Sequence, residues 1–382
     1  PIESFHSDAK KSELNRVLTK WGLTSLGIGA IIGGGIFTLT GIAAQEYAGP
    51  ALAISFMLAG IACTFAALCY AEFSSILPVE GSAYAYSYGT VGELFAWFIG
   101  WNLILEYMMG ATTVAVSWSG YFDKLLHLFG INLPLWLVND PTTAIEKAHE
   151  LGIDPPAFAF NLPAFVITWL VTAILVRGIK EAAKTNNLIV ILKVSVVIFV
   201  IVMGAFYINV DNWSPFIPEQ FIDAKGVGHF GWSGIGTAAS IVFFAYIGFD
   251  AISTTAEECE NPQRDLPRSM MWSIIICTVL YIAISLVLTG VVSYKQLAVG
   301  DPLAHVFKVL NLNRMAGIIS ISAVIAMASV LLVFQMGQPR IWMSMSRDGL
   351  LPKRFSRVHP KYKTPSFATI VVGFVVAIPA LF

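Results

Sequence analysis

Nine stretches of this chain are apolar for longer than a soluble protein tolerates, and that feature limits the fold more than any other. A helix needs about 20 mostly apolar residues to cross a bilayer. Candidates run over residues 22–44, 50–77, 93–122, 163–178, 187–208, 232–256, 270–292, 315–346 and 366–382. The fourth is short, and the third and eighth are long enough to tilt. The ninth is still apolar at Phe382, so the chain is expected to be a fragment whose C-terminal spans are missing. Composition agrees: 12% of residues are charged and 56% hydrophobic, with mean hydropathy +0.72. A soluble domain carries about 25% charged residues. The deficit fits a surface that faces lipid. The expectation is an all-α membrane protein with one transmembrane domain over residues 1–382.

Segments 125–162 and 209–231 carry Pro, Gly, Asn and isolated charges and read as loops. No short apolar stretch with a small-residue cleavage site opens the chain, so no cleaved signal peptide is expected. A net charge of −1 gives no reason to expect nucleic acid as a partner. The spacing of Cys63 and Cys69 fits no metal motif, and both read as small core residues.

Orientation follows from Lys and Arg in the loops. With the N-terminus in the cytoplasm, sixteen of the 23 fall on the cytoplasmic side, Lys10 and Lys11 among them. Six fall outside, Lys225 among them, and Lys193 lies within a span. A cytoplasmic N-terminus and a multi-pass place in the cell (cytoplasmic or inner) membrane are expected.

Two segments look interrupted. The first holds GIGAIIGGGIF, residues 27–37, with glycines at 27, 29, 33, 34 and 35. Each Gly costs about 1 kcal/mol against Ala inside a helix. One reading is a close-packed helix interface. The other is an unwound turn at mid-membrane, which survives only beside protein or a water-filled cavity. It would free the N–H groups of Gly33, Gly34 and Gly35 at the start of a half-helix, where a carboxylate binds well. The carbonyls near Ile31 and Ile32 would face a cation. The sixth segment holds FFAYIGFD, residues 243–250, with Gly248 and Asp250 in its middle. Asp250 is either a buried acid or an acid near a helix end. Interrupted segments five apart are what an inverted five-helix repeat gives, with the binding site between them.

Lys193 lies in the fifth segment, about 10 Å beyond Asn186 at 1.5 Å per residue. It either snorkels to the membrane face or is an ammonium that takes up and releases a proton. Glu106 in the third segment is a functional candidate by default. It attracts a cationic side chain, carries a proton, pairs with Lys193, or makes a structural hydrogen bond. Glu72 and Glu93 read as ordinary acids near span ends. Met108, Met109, Phe243 and Met327 would make an apolar pocket wall. No metal cluster is expected. None of the six histidines lies at mid-span or forms an HxxxH or HExxH spacing, so an intramembrane enzyme is not expected. No repeated carbonyl-filter string marks a channel.

Four strings carry a resemblance: GIGAIIGGGIF (27–37), AEFSSILPVEGSAYAYSYGTVGE (71–93), ECENPQRDLPRS (258–269) and SRDGLLPKRFSRVHPKYKTP (346–365). GWNLILEY (100–107) extends it over nearly the whole chain. The chain resembles the amino acid–polyamine–organocation transporter superfamily, and within it bacterial-type members of the cationic amino acid transporter branch. The resemblance implies a 5+5 inverted-repeat (LeuT-like) fold, with helices 1 and 6 discontinuous. The first repeat would run over about 20–208 and an incomplete second over about 231–382. It implies a secondary active transporter of amino acids, proton-coupled or exchanging, or a non-transporting sensor on the same fold.

By the same resemblance, the substrate carboxylate meets the amides of Gly33, Gly34 and Gly35. Its ammonium meets carbonyls of Ile31 or Ile32 and of Phe244, Ala245 and Ile247. Phe244 matches an aromatic that closes the site from outside. Ser or Thr often stands where this chain has Gly34. Lys193 matches a lysine that stands where sodium-coupled relatives hold a cation. No cofactor and no sodium site are therefore expected, with the proton as coupling ion. The branch name points to Arg and Lys as substrates, whereas the apolar wall points to small neutral ones such as Ala. Oligomeric state is not legible.

Overall fold

In a computed structural model that describes residues 14–128, 130–223, 226–299 and 301–382, all nine apolar segments are helical. Lys10, Lys11 and Lys225, which entered the orientation reading, lie outside the described residues. Lipid offers the backbone no hydrogen-bond partner, so spanning segments bond within themselves as helices. The first segment is helical over Lys20–Ile31 and, after an interruption, through residues 35–48. Next come Leu52–Ile76, Glu93–Leu128, Leu162–Arg177 and Ile179–Ala205. The sixth runs over Gly231–Val242 and, past its own interruption, to Glu258. Pro262–Val291, Asn313–Arg347 and Ser366–Leu381 complete the set. Six stretches are long and apolar enough to cross a membrane, the first of them, Lys20–Ile76, holding two segments. Leu162–Arg177 and Ser366–Leu381 are apolar but shorter.

The fifth helix begins at Ile179, before the apolar run does. Its first turns, IKEAAKTNN, are rich in Ala, Lys and Glu, which favour helix without favouring lipid. The stretch 125–162 is not plain loop. It contains a helix at Pro141–Leu151, started by Asp140, whose side chain accepts from the Thr142 and Thr143 amides at 3.0 and 3.1 Å. Gly152 stops it at φ 66. This is the usual start and stop chemistry of a short helix. Within 209–231 two short strands pair antiparallel, Phe221 opposite His229 and Ile222 opposite Gly228. The described chain is therefore almost, not strictly, all-helical.

Each of the first four segments packs against the segment five places later: first on sixth, second on seventh, third on eighth, fourth on ninth. The fifth lies against the first, seventh and eighth. Two hydrophobic cores result, and they meet at the level of the interruptions: Ala30 belongs to one, Ile31 and Ala245 to the other. The outward faces are apolar too, as at Phe65, Leu188, Ile191 and Val279. Cys63 is buried, but Cys69 is exposed and not a core residue. Six residues of α-helix turn the chain through about 600°, so the two point to different faces.

Candidate functional site

The first helix stops where Ile32 turns out of helical geometry at φ −76 and ψ 98. Winding resumes as a wide turn over Gly35–Leu39. The sixth helix tightens over Phe243–Tyr246, breaks at Ile247 (φ −58, ψ 136) and passes through Gly248 at φ 111. Gly248 is required twice over: its φ disfavours any side chain, and a Cβ there would sit 2.7 Å from the Ala30 Cβ. The two interruptions touch. A Cβ on Gly35 would lie 2.5 Å from that of Ala245. Tyr281 on the seventh helix donates from its hydroxyl toward both, 2.9 Å from the Ile31 carbonyl and 3.1 Å from that of Ala245.

The glycines of this run have different surroundings. A Cβ on Gly27, Gly29, Gly33 or Gly35 would collide with Ser273, Asn186, Val330 or Ala245 respectively. Those four let helices approach closely. Gly34 has nothing within 4 Å of a would-be Cβ and borders a cavity of about 650 Å³. Past Ile32 the backbone leaves the helical ladder, and the first N–H groups of a new helical stretch have no partner within it. Gly33, Gly34 and Gly35 all line this cavity.

Most of the cavity wall is apolar, with Met109, Met327, Val330 and Phe334 from the third and eighth helices. Ile31, Phe244, Ala245 and Ile247 line it, whereas Phe243 lines a smaller side cavity of about 150 Å³. Met108 and Ile32 border neither. Four of the five expected ammonium-binding carbonyls already have donors. Ile32 accepts from Lys193 at 2.8 Å, Ile31 and Ala245 from Tyr281, and Phe244 from the Ile247 amide at 3.3 Å. Each carbonyl keeps a second lone pair.

Lys193 does not snorkel. It is fully buried, and its Nζ donates to the carbonyls of Gly29 at 2.7 Å and Ile32 at 2.8 Å and to Ser329 Oγ at 2.6 Å. Among the described residues no carboxylate forms an ion pair with it, Glu106 included. The ammonium thus ties the end of the first half-helix to the eighth helix.

Glu106 lines both the main and the side cavity. Asp250 lines the side cavity, is 6% exposed, and accepts from the Tyr107 hydroxyl at 2.6 Å. It opens the second half of the sixth segment, just past Gly248. It is therefore a buried acid, in the first turn of the half-helix that follows the interruption. Among the described residues no group of three or more metal-ligating side chains comes together.

Sequence reasoning passed over Tyr281, Ser329, Tyr107 and the cavity hydroxyls of Thr38, Thr113 and Ser117. Tyr281 and Ser329 carried a weak signal, being hydroxyls inside otherwise apolar runs. Single hydroxyls are common in spans, where they also bond their own helix, as Thr40 does to Ile36.

Residues 18–382 match the model of a family described as amino acid permease. The chain is 46% identical over 377 residues to the methylthioribose transporter of Bacillus subtilis (strain 168), covering 99% of this chain and 77% of that one. It is 48% identical over 364 residues to the branched-chain amino acid permease BcaP of the same organism, covering 95% and 74%. To the chloroplastic cationic amino acid transporter 9 of Arabidopsis thaliana it is 40% identical over 353 residues, covering 91% of this chain and 58% of that protein.

Proposed function

The chain belongs to the amino acid permease family, and from that premise we propose that it is a secondary transporter that carries amino acids by alternating access around the cavity between its two interrupted helices. It is a multi-pass membrane protein and not an enzyme. One observation carries the reading: two mid-segment interruptions touch at one wall of a cavity of about 650 Å³. Unwound backbone there offers N–H groups to a carboxylate and carbonyls to an ammonium, the two ends of a zwitterion. Packing of each segment on the one five places later supports a 5+5 inverted repeat. The surplus of Lys and Arg on one side supports a cytoplasmic N-terminus, and the bacterial relatives support a cell membrane.

The cavity wall favours a neutral substrate. Its side chains are mostly apolar, and among the described residues Glu106 is the one carboxylate that lines it. The relative named for branched-chain amino acids fits that wall, and the one named for methylthioribose extends the range to test. Lys193 is the proton-coupling group in this reading. Its Nζ bonds the carbonyls at the first interruption and the eighth helix, so loss of its proton removes one of three donors and the charge that strengthens the other two. It also fills with an ammonium the place where a sodium ion would bind.

The test is uptake into proteoliposomes of labelled Leu, Ala, Lys, Arg and methylthioribose, with and without an inwardly directed proton gradient. We expect Leu and Ala to enter, and the gradient to drive accumulation. Binding without flux would mark a sensor. Preference for Arg over Leu would overturn the neutral assignment.

A further inference from the structure

At the end of the bundle where Leu18 pairs with Cys259, the sixth and eighth segments are joined by two ion pairs. Arg340 grips Glu258 with two bonds, 2.7 Å from Nε and 2.8 Å from Nη2. Arg347 Nη1 holds Glu257 at 2.7 and 2.9 Å. Two guanidiniums are thereby matched by two carboxylates. A third carboxylate, Glu80, is packed against them from the stretch between Leu52–Ile76 and Ala83–Thr90.

Glu80 is 1% exposed, and neither of its carboxyl oxygens has a hydrogen-bond partner. Its nearest cation is Arg340 Nε, 4.0 Å away and already held by Glu258. The backbone pins it there. Ser344 on the eighth helix donates to the Glu80 carbonyl at 3.0 Å, and Gly81 at φ 114 lets the chain lie flat against Ser344. An ionised carboxylate so placed is costly, and the group binds a proton instead. Burial comes first and the charges of Glu257 and Glu258 second in pushing Glu80 well above the usual carboxylate range; Arg340 and Arg347 pull it back. Asp348 adds negative charge beside Arg347 and accepts from the Tyr84 hydroxyl at 2.7 Å.

We propose that Glu80 is a second proton-binding site, protonated while this end of the bundle is closed and emptied when the sixth segment parts from the eighth. The proposal rests on the alternating-access reading for its cycle, but the bound proton is a property of the closed form alone. Opening exposes Glu80 to water, where a Glu titrates near about 4.3 and releases its proton to the cytoplasm. By linkage, acid on that side holds the end shut, and rising pH loosens it.

Two measurements on the purified protein in lipid test this. In infrared difference spectra at about pH 7, a protonated-carboxyl C=O stretch should be present in wild type and lost in Glu80→Gln. An unchanged band would overturn the proposal. Thermal melting supplies the second arm. A neutral amide replaces a neutral acid, so Glu80→Gln should melt no lower than wild type and gain on it as pH rises from about 6 to about 8. If Glu80 is ionised and needed by Arg340, the variant melts lower or fails to fold, which also overturns the proposal. A protein that shows the band but moves no amino acid would sink the transport reading and leave the proton site standing.

Discussion

Single residues at the cavity separate packing from binding. A leucine at Gly34 would project into the space left for a carboxylate, because nothing occupies it within 4 Å. We expect Gly34→Leu to lose substrate binding, by ten-fold or more in Kd, with little change in melting temperature. Wild-type affinity in a binding titration would count against the pocket. A serine at Gly34 should be tolerated. Lys193→Ala removes two bonds to the first half-helix and one to Ser329, and with them the ammonium proposed to carry the proton. We expect gradient-driven accumulation to vanish and counterflow exchange to persist at reduced rate. Uptake that still follows the pH gradient in that variant would remove Lys193 from the coupling. The glycine run and the lone lysine were legible in sequence because both are costly in a lipid-embedded helix. Tyr281 was not, since a tyrosine in an apolar span is ordinary until its hydroxyl is seen between Ile31 and Ala245.

At the scale of elements, apolar length alone located nine segments that are helical in the structure, and glycine chemistry located the first interruption. The exact pivot of the sixth segment was less visible. Only the structure shows Gly248 at φ 111 with Ala30 against it. Gly248→Ala combines a disfavoured φ with a methyl 2.7 Å from its neighbour. A cost of about 1–3 kcal/mol is expected from such backbone strain, read as a lower melting temperature together with weaker substrate binding. A variant as stable as wild type would mean that the sixth segment rewinds without penalty. The helix at Pro141–Leu151 and the strand pair at Phe221–His229 escaped a search for spans because they are amphipathic or very short, and their signals are caps and turns rather than apolar length.

Across the whole molecule, the sixth segment is joined to the eighth by ion pairs near one end of the bundle, the two Arg–Glu pairs beside Glu80. Sequence gave both Glu257–Glu258 and Arg340 and Arg347, but nothing in their spacing pairs them; their pairing depends on segments that meet only in three dimensions. On the alternating-access reading, passage of substrate toward that end separates these elements, and the pairs then set the balance between closed and open forms. Glu258→Gln leaves Arg340 buried without its bidentate partner, a loss of about 3–5 kcal/mol in comparable buried pairs. The open form, in which Arg340 reaches water, escapes much of that loss. Even about 1.4 kcal/mol of the difference moves the equilibrium ten-fold. We therefore expect Glu258→Gln to raise the rate at which a Ser253→Cys probe is labelled by a thiol reagent applied from that end, in a background freed of the native cysteines. Salt should change that rate little, because the Arg340–Glu258 pair is buried and poorly screened. A labelling rate equal to that of the parent would show that the closed form is held by something other than this cluster, with the apolar contacts between the first and sixth segments next in line.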